Sequence, residues 1–176
     1  TQSLEIKRNG LGADGKGITD YETIISKLSI ASWDRVFVIY DAIQMGIPLS
    51  RIYELTKIDM WFLKQYEELH ILRNEISNYK IDSIPRDIHL EAKQKVYGAI
   101  QKANILGYLE SQVYLKRDEM NIKRVYKLVD TCAAEFKAFT PYYYSTFENE
   151  IETKDGSKYS ENESVVSEKK KIIVLG

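Results

Sequence analysis

The sequence predicts a mainly α-helical fold: an irregular helical domain of two small lobes, with a short extended segment near 125–130 and a strand at 171–176 that would join a sheet of a further domain. Between about 20 and 120, apolar residues recur at helical spacing behind cap residues. With 44% hydrophobic and 29% charged residues, a chain of 176 residues can bury a core. β-branched and aromatic residues dominate the two extended stretches instead.

Charge and cysteine content exclude several classes of protein. The 25 basic and 26 acidic residues nearly cancel, so no excess charge points to nucleic acid or anionic lipid. One cysteine cannot build an internal disulfide framework, and two histidines disfavour a His/Cys zinc site. No apolar run approaches the roughly 20 residues that span a bilayer. We expect a cytoplasmic protein that does not enter a membrane and, because Met is missing at position 1, a fragment of a longer chain.

Residues 1–18 contain a string of glycines in NGLGADGKGI. A nucleotide-binding loop would need a strand before the glycines and a helix after them whose N-terminus faces the phosphate. Only Ser3–Lys7 precedes the string, and the sequence contains no G-K-[ST] motif at this place. We therefore predict a flexible linker over 1–18 and not a phosphate cradle.

A first helical lobe is predicted over about 19–80. Thr19 and Glu22 have the spacing of a capping box, and apolar residues follow at helical intervals. A second helix would start near Asp34 and end at Gly46, and a short third helix would follow it.

A long fourth helix is predicted behind the cap residues Thr56 and Asp59. Its apolar residues follow i, i+3, i+4 spacing, so the helix is expected to be amphipathic. These residues are Ile58, Trp61, Phe62, Tyr66, Leu69, Leu72 and Ile76. We predict that Trp61 and Phe62 pack in the core, because an aromatic residue at helical spacing normally faces the core. The alternative is that part of this face forms a subunit contact.

A second lobe is predicted over about 85–120. Pro85 and Asp87 would start a helix that runs to about Tyr97. The stretch 99–117 then has the outline of a helix-turn-helix, the arrangement whose second helix enters the major groove of DNA. A DNA reader needs clustered Lys and Arg for phosphate contacts, whereas the charges of this second helix nearly cancel. A helical DNA-binding or adaptor domain is the alternative hypothesis for function.

The segment 125–148 carries the most specific motifs of the chain. It contains VDTCAAEF at 129–136 and TPYYYSTFE at 140–148. Together with IDMWFL at 58–63, these motifs closely resemble the central oligomerisation domain of the carbamoyl phosphate synthetase large-subunit family. The signature positions that match are Asp130, Thr131, Cys132, Ala133, Ala134, Glu135, Tyr144, Ser145, Thr146 and Glu148, with Asp59, Trp61 and Phe62 in the earlier motif. The resemblance implies a structural role for them at a domain junction, and it carries no catalytic residue, cofactor site or metal ligand into this chain.

Cys132 is nevertheless a candidate nucleophile. A catalytic thiol needs a base or a cationic setting that lowers its pKa, and neither His70 nor His89 has the sequence context of such a partner. We therefore predict that Cys132 is a small buried side chain. Asp130 and Glu135 have no predictable common face, so we interpret them as hydrogen-bonded polar residues at a domain junction and not as a catalytic pair.

The resemblance also implies the setting of the domain in a parent enzyme. In the family, this non-catalytic domain separates two ATP-grasp synthetic units and contributes to self-association of large subunits. The two units make carbamoyl phosphate from bicarbonate, ammonia and ATP for arginine and pyrimidine synthesis. Mg or Mn and K serve the ATP sites, and a glutaminase small subunit supplies the ammonia.

The resemblance further implies how the chain is divided. The expected boundaries are a linker from the preceding synthetic unit at 1–18, the oligomerisation domain at 19–148, a connector at 149–170 and the first strand of the following unit at 171–176. The expected partners are other large subunits, the glutaminase subunit and the flanking ATP-grasp units, with no nucleic acid and no membrane.

Overall fold

The computed structural model describes residues 8–95, 97–131, 135, 142–164, 167–170 and 172. Most of these residues are helical, and two short antiparallel strand pairs follow the last helix. The mainly α-helical fold predicted from the sequence is therefore confirmed. The chain divides into two compact units, Thr1–Asn121 and Ile122–Gly176. Among the described residues, no helix is both long enough and apolar enough to cross a bilayer.

The described part of the first unit contains seven helices. They are α1 (Tyr21–Ser29), α2 (Arg35–Gln44), α3 (Leu49–Thr56), α4 (Met60–Ser77), α5 (Arg86–Gln94), α6 (Ala99–Leu106) and α7 (Glu110–Glu119). The apolar spacing predicted all of them, with small differences at their ends. At α1 the N-cap is Asp20 instead of Thr19, because the Asp20 carboxylate accepts a hydrogen bond from the Thr23 N–H at 2.8 Å.

The first lobe is built around α2, which is buried along most of its length. Its neighbours α1 and α3 each bury one face against it, and α4 joins the same core near its start. The core side chains are Ile24, Leu28, Val38, Ile39, Ala42, Ile43, Ile47, Ile52 and Leu63.

The second lobe has a core of its own, farther along α4. Its buried side chains are Leu72, Ile76, Ile84, Ala92 and Tyr97. The Tyr97 hydroxyl donates a hydrogen bond to the Leu69 carbonyl oxygen at 2.6 Å, which fastens the α5–α6 connection to α4. Arg86 Nε donates to the Met120 carbonyl oxygen at 2.9 Å, so the start of α5 lies against the end of α7.

The glycine segment packs against α2. Asp41 of α2 is buried, and its carboxylate accepts a hydrogen bond from the Ile18 N–H at 2.9 Å. Burial raises the pKa of the Asp41 carboxyl. A Cβ on Gly12 would lie 2.7 Å from Tyr40 Cε1, so glycine permits an approach that other residues would block. The flexible linker expected from the glycine content is therefore wrong for residues 8–18, which form a packed segment.

The second unit contains a two-stranded ribbon. β1 (Val125–Leu128) pairs antiparallel with β2 (Tyr143–Thr146), with Val125 opposite Thr146. The extended segment predicted near 125–130 is thus confirmed. A smaller antiparallel pair follows, formed by β3 (Ile151–Glu152) and β4 (Lys158–Tyr159).

The chain after β4 runs along the free edge of β1. The Tyr126 N–H donates to Asn162 Oδ1 at 3.0 Å, and the Glu163 N–H donates to the Tyr126 carbonyl oxygen at 2.9 Å. The stretch 149–170, expected to be a solvated connector, therefore includes both a hairpin and a segment bonded to β1. The strand predicted at 171–176 lies outside the described residues, apart from Ile172.

Candidate functional site

Two aromatic side chains are exposed at the start of α4. Trp61 is 62% exposed and Phe62 is 54% exposed. Their rings meet edge to face, with centroids 5.0 Å apart and planes at 87°. Aromatic rings favour this arrangement. The two residues, which we call the aromatic pair, form one continuous apolar surface that is exposed in this chain.

The turn between α3 and α4 fixes the position of the aromatic pair. Lys57 ends α3 in the left-handed conformation, with φ of 57°. Thr56 Oγ1 accepts a hydrogen bond from the Ile58 N–H at 3.2 Å. Asp59 is the N-cap of α4, and its Oδ1 accepts a hydrogen bond from the Trp61 N–H at 2.8 Å. The backbone under the pair is therefore held on both sides of the turn.

The prediction that Trp61 and Phe62 pack in the core is wrong. The buried side chains of α4 are Leu63, Leu72 and Ile76, which define its inward face. Each helical residue turns by about 100°, so the two residues before Leu63 point away from that face. The apolar face predicted for α4 is wider than the face that packs in the core, because the prediction grouped the exposed Trp61 and Phe62 with the buried residues. A subunit contact was the alternative interpretation, and the exposure of both rings agrees with it.

In the second unit, the later signature residues lie on or beside one ribbon. Tyr144, Ser145 and Thr146 belong to β2 and pair with β1. Glu148 follows the strand, and its Oε2 lies 3.3 Å from Lys127 Nζ. The antiparallel pairing thus brings the end of the signature segment next to its beginning.

The ammonium group of Lys127 on β1 is surrounded by three glutamate side chains. Its Nζ lies 3.3 Å from Glu148, 3.2 Å from Glu161 and 3.8 Å from Glu163. Burial opposes the charge on Lys127, but hydrogen bonds to Glu161 and Glu148 outweigh it and raise the pKa of the ammonium group. Glu163 Oε2 also accepts a hydrogen bond from the Leu128 N–H at 2.6 Å. These carboxylates fasten the segment after β4 to β1.

The remaining residues of the VDTCAAEF motif follow β1 in the sequence. Asp130, Thr131 and Glu135 are exposed in this chain, and their role at a domain junction stays a prediction. Residues 132–134 lie outside the described residues, so the burial of Cys132 stays a prediction.

The cations of α6 and α7, the helix-turn-helix stretch, are buried or paired. Lys102 is completely buried. Lys116 Nζ lies 3.3 Å from Glu119 Oε2, and an Arg117 guanidinium nitrogen lies 3.2 Å from Asp118 Oδ1. Phosphate contacts require exposed basic side chains, so this geometry does not favour the DNA-binding alternative.

Sequence reasoning missed two buried titratable residues of the second lobe. His89 on α5 is 1% exposed and Lys102 on α6 is 0% exposed, and neither side chain has a hydrogen-bond partner among the described residues. Burial and neighbouring cations lower the pKa of His89 to about 3 and that of Lys102 to about 6. A signal was present, because Lys102 lies at helical spacing from Ala99 and beside Ala103 on the inward face of α6.

A small pocket lies between the glycine segment, α4 and α6. It has a volume of about 180 Å³ and is lined by Gly10, Leu11, Leu69, Lys95, Tyr97 and Gln101. Its polar groups hold the lobe together: Lys95 Nζ donates to Glu68 Oε2 at 2.8 Å, and Gln101 Oε1 accepts from the Gly98 N–H at 2.6 Å. In the part of the chain that the structure describes, no three His, Cys, Asp or Glu side chains group as a metal site.

Comparison with known proteins identifies relatives for the whole chain. Residues 1–121 match the family described as the carbamoyl-phosphate synthetase large chain, oligomerisation domain. The carbamoyl phosphate synthase large chain of Archaeoglobus fulgidus is 41% identical over 180 residues, and that of Rhodopirellula baltica is 39% identical over 182 residues. Each of these alignments covers 99% of this chain but 16% of the relative. The corresponding large chain of a Nostoc species is 39% identical over 158 residues, which cover 89% of this chain and 14% of the relative.

These matches agree with the structure and with the sequence motifs. The matched residues 1–121 coincide with the first compact unit, which contains α1–α7 and the aromatic pair. The resemblance read from VDTCAAEF, YSTFE and IDMWFL is confirmed. The chain belongs to the carbamoyl-phosphate synthetase large-chain family, and its helical unit is the oligomerisation domain of that family.

Proposed function

We propose that this domain is non-catalytic, that it joins large chains to one another and that it spaces the two synthetic units of its parent enzyme. The family description names an oligomerisation domain and so supports the joining of large chains, since the match covers the entire helical unit. The exposed aromatic pair on α4 is the structural observation that carries the proposal.

The aromatic pair has the properties of an association surface. Tryptophan is among the residues most enriched at the energetic centres of protein interfaces. Burying a large apolar side chain completely contributes about 1.5–3 kcal/mol. Since slightly more than half of each side chain is exposed, covering Trp61 and Phe62 would contribute roughly 1–2 kcal/mol for each ring.

Little conformational freedom would be lost when the aromatic pair is covered. The Asp59 cap and the Thr56 hydrogen bond already fix the backbone of the helix start, and the two rings already contact each other. Ordering a mobile side chain at an interface costs about 0.5–1.5 kcal/mol, so a preordered pair retains more of its burial energy.

For the parent protein, we propose glutamine-dependent synthesis of carbamoyl phosphate in the cytoplasm. The substrates would be bicarbonate, ammonia released from glutamine and two molecules of ATP, and the product would enter arginine and pyrimidine synthesis. ATP, Mg or Mn and K would bind in flanking ATP-grasp units, and a glutaminase small subunit would supply the ammonia. The names of the relatives support this proposal, since each is a carbamoyl phosphate synthase large chain.

Tryptophan fluorescence tests whether the aromatic pair is the association surface. The chain has two tryptophans, so Trp33→Phe leaves Trp61 as the reporter. Trp33→Phe/Phe62→Ala is the matched control, since it keeps this reporter and removes the other ring of the aromatic pair. We expect Trp61 emission to shift to shorter wavelength as the concentration of Trp33→Phe rises, and the control to need a higher concentration for the same shift. Constant emission from Trp61 over the whole concentration range would contradict the proposed surface.

The non-catalytic role is tested separately by assaying the 176-residue chain with ATP, Mg, K, bicarbonate and ammonia. We expect neither ATP hydrolysis nor carbamoyl phosphate above the level without protein. Turnover that scales with protein concentration would contradict this part of the proposal.

A further inference from the structure

An Asn or Asp side chain directly precedes a glycine at three places in the sequence. These places are Asn9-Gly10, Asp14-Gly15 and Asp155-Gly156. At such a place the backbone nitrogen of the glycine can attack the side-chain carbonyl carbon and close a succinimide ring, because glycine has no Cβ to obstruct the approach. Whether the ring forms depends on what holds the side chain and the glycine N–H in the folded protein.

At the second place, the carboxylate of Asp14 is held from several sides. It accepts hydrogen bonds from Arg8 Nε at 2.6 Å and from a terminal Arg8 guanidinium nitrogen at 2.9 Å. The backbone N–H groups of Asn9 and Lys16 also donate to it, at 3.3 and 3.2 Å. Burial opposes the charge on Asp14, but the hydrogen bonds from Arg8 and Lys16 outweigh it and lower the pKa of the carboxyl. An ionised, restrained carboxylate is a poor target for the Gly15 nitrogen.

At the third place, the carboxylate of Asp155 is restrained in the turn between β3 and β4. Its Oδ1 accepts hydrogen bonds from the Ser157 N–H at 3.0 Å and from the Ser157 hydroxyl at 2.9 Å, and the Thr153 hydroxyl donates to the same oxygen. The hydrogen bonds from Thr153 and Ser157 lower the pKa of Asp155 to about 2. Both aspartates are therefore held in the unreactive form.

Asn9 has neither of these restraints. The residue is exposed and lies outside any helix or strand. In the part of the chain that the structure describes, neither its carboxamide nor the Gly10 N–H takes part in a hydrogen bond. The carboxamide also carries no charge, so its carbonyl carbon stays open to attack at neutral pH. The Asn9 side chain is thus free to turn towards the Gly10 nitrogen.

We propose that Asn9 is a site of spontaneous deamidation and that the modification loosens the glycine segment. The Gly10 nitrogen forms a bond to Asn9 Cγ, and the carboxamide nitrogen leaves as ammonia together with the proton of the Gly10 amide. Water then opens the succinimide at one of its two carbonyl carbons. Opening at one carbon leaves aspartate at position 9, and opening at the other leaves isoaspartate, whose main chain is one carbon longer.

The surroundings of Asn9 explain why either product disturbs the segment. A Cβ on Gly10 would lie 1.4 Å from Gln101 Nε2, so the Gly10 backbone packs directly on α6. The Gln101 amide is itself fixed, because its Oε1 accepts the Gly98 N–H at 2.6 Å. The longer main chain of isoaspartate displaces Gly10 from this contact. Both products also add a negative charge beside Asp14, whose Oδ2 lies 3.3 Å from the Asn9 nitrogen, and like charges at short range repel.

Peptide mapping by mass spectrometry tests the site in the 176-residue chain, aged in mildly alkaline buffer with and without urea. The mass change from carboxamide to carboxyl is measured at each asparagine, and the released ammonia is measured in parallel. The remaining asparagines are internal references, since glycine follows none of them. Asn9→Gln is the matched control: it keeps an exposed carboxamide, but the carbonyl carbon lies one methylene farther from the main chain and ring closure is slow.

We expect the mass change in the folded chain to accumulate faster at Asn9 than at any other asparagine, and the release of ammonia to fall in Asn9→Gln. Conversion at Asn9 no faster than at the other asparagines would overturn the proposal. So would conversion that occurs in urea but not in the folded chain, because the fold would then hold Asn9 away from the Gly10 nitrogen.

Thermal unfolding followed by circular dichroism tests the effect on the glycine segment. We expect aged wild-type protein to melt at a lower temperature than fresh protein, and aged Asn9→Gln to melt at the same temperature as fresh Asn9→Gln. An unchanged melting temperature in fully deamidated wild-type protein would overturn the claim that the modification loosens the segment.

Discussion

Adding one methyl group to the glycine segment tests whether it packs against α2. In Gly12→Ala the new Cβ would lie 2.7 Å from Tyr40 Cε1, and the Tyr40 ring is completely buried and cannot swing away. Two costs add. The φ of +64° at Gly12 is unfavourable for alanine by about 1–2 kcal/mol, and overpacking against a core ring costs about 1–3 kcal/mol. We expect a loss of about 2–5 kcal/mol in the free energy of unfolding.

Gly15→Ala is the matched control for this change. Its φ is +67°, nearly the same as at Gly12, but nothing in the described structure lies within 4 Å of the added Cβ. Gly15→Ala should therefore cost only the conformational part, about 1–2 kcal/mol. Urea unfolding followed by tryptophan fluorescence measures both variants, since Trp33 and Trp61 lie in the first unit. Equal losses for the two variants would refute the packing of residues 8–18 on α2.

Three further predictions test other parts of the structure. Leu63→Ala should lower the unfolding free energy by about 2–5 kcal/mol because Leu63 is completely buried, whereas Phe62→Ala should cost less than about 1 kcal/mol, and similar losses in urea unfolding would show that the inward face of α4 is misassigned. The free energy of unfolding should rise with pH between about 6 and 10.5, because Lys102 binds a proton in the unfolded chain but not in the folded one. The contribution is up to about 1.4 kcal/mol per pH unit, and a Lys102→Met slope equal to that of the wild type would contradict it. Lys127→Met should leave its carboxylate partners without a cation. Because the Glu163 side chain accepts the Leu128 N–H in the wild type, we expect faster hydrogen exchange at the Leu128 amide. An unchanged exchange rate would show that Lys127 does not hold the segment after β4 against β1.

The parts of the fold that depend on neighbouring residues were predictable from the sequence. Asp59 lies directly before an apolar helix and caps it, as its side chain chemistry predicts. β-branched and aromatic residues at Val125 and Tyr126 predicted the extended segment that became β1. In both cases the local backbone conformation follows from the chemistry of the residues themselves, although the strand that pairs with β1 comes later in the chain.

Contacts between distant residues were not predictable in the same way. The glycine segment looked like a linker because nothing near it shows that Asp41, 23 residues beyond Ile18, is buried and accepts the Ile18 N–H. The segment after β4 looked solvated because its glutamates meet Lys127 only when the chain folds back over 34 residues to Glu161.

The candidate site shows a related limit of sequence reasoning. Apolar spacing identifies a helix but does not distinguish a residue that faces the core from one that faces a partner. Trp61 and Phe62 have the helical spacing of core residues and yet lie outside the core. Lys102 is a lysine, a residue type usually found at the surface, and yet it lies inside the core. Burial in both cases is decided by which other helix covers that face.

Sedimentation equilibrium of the 176-residue chain over a wide concentration range tests the association role most directly. Three proteins should be compared: the wild type, the double variant Trp61→Ala/Phe62→Ala and the control Trp33→Ala. We expect reversible self-association of the wild type and of Trp33→Ala, and an association constant at least about tenfold lower for the double variant, which corresponds to the loss of roughly 1.4 kcal/mol or more. Wild-type protein that stays monomeric at every concentration would contradict the account that this unit joins large chains through the aromatic pair.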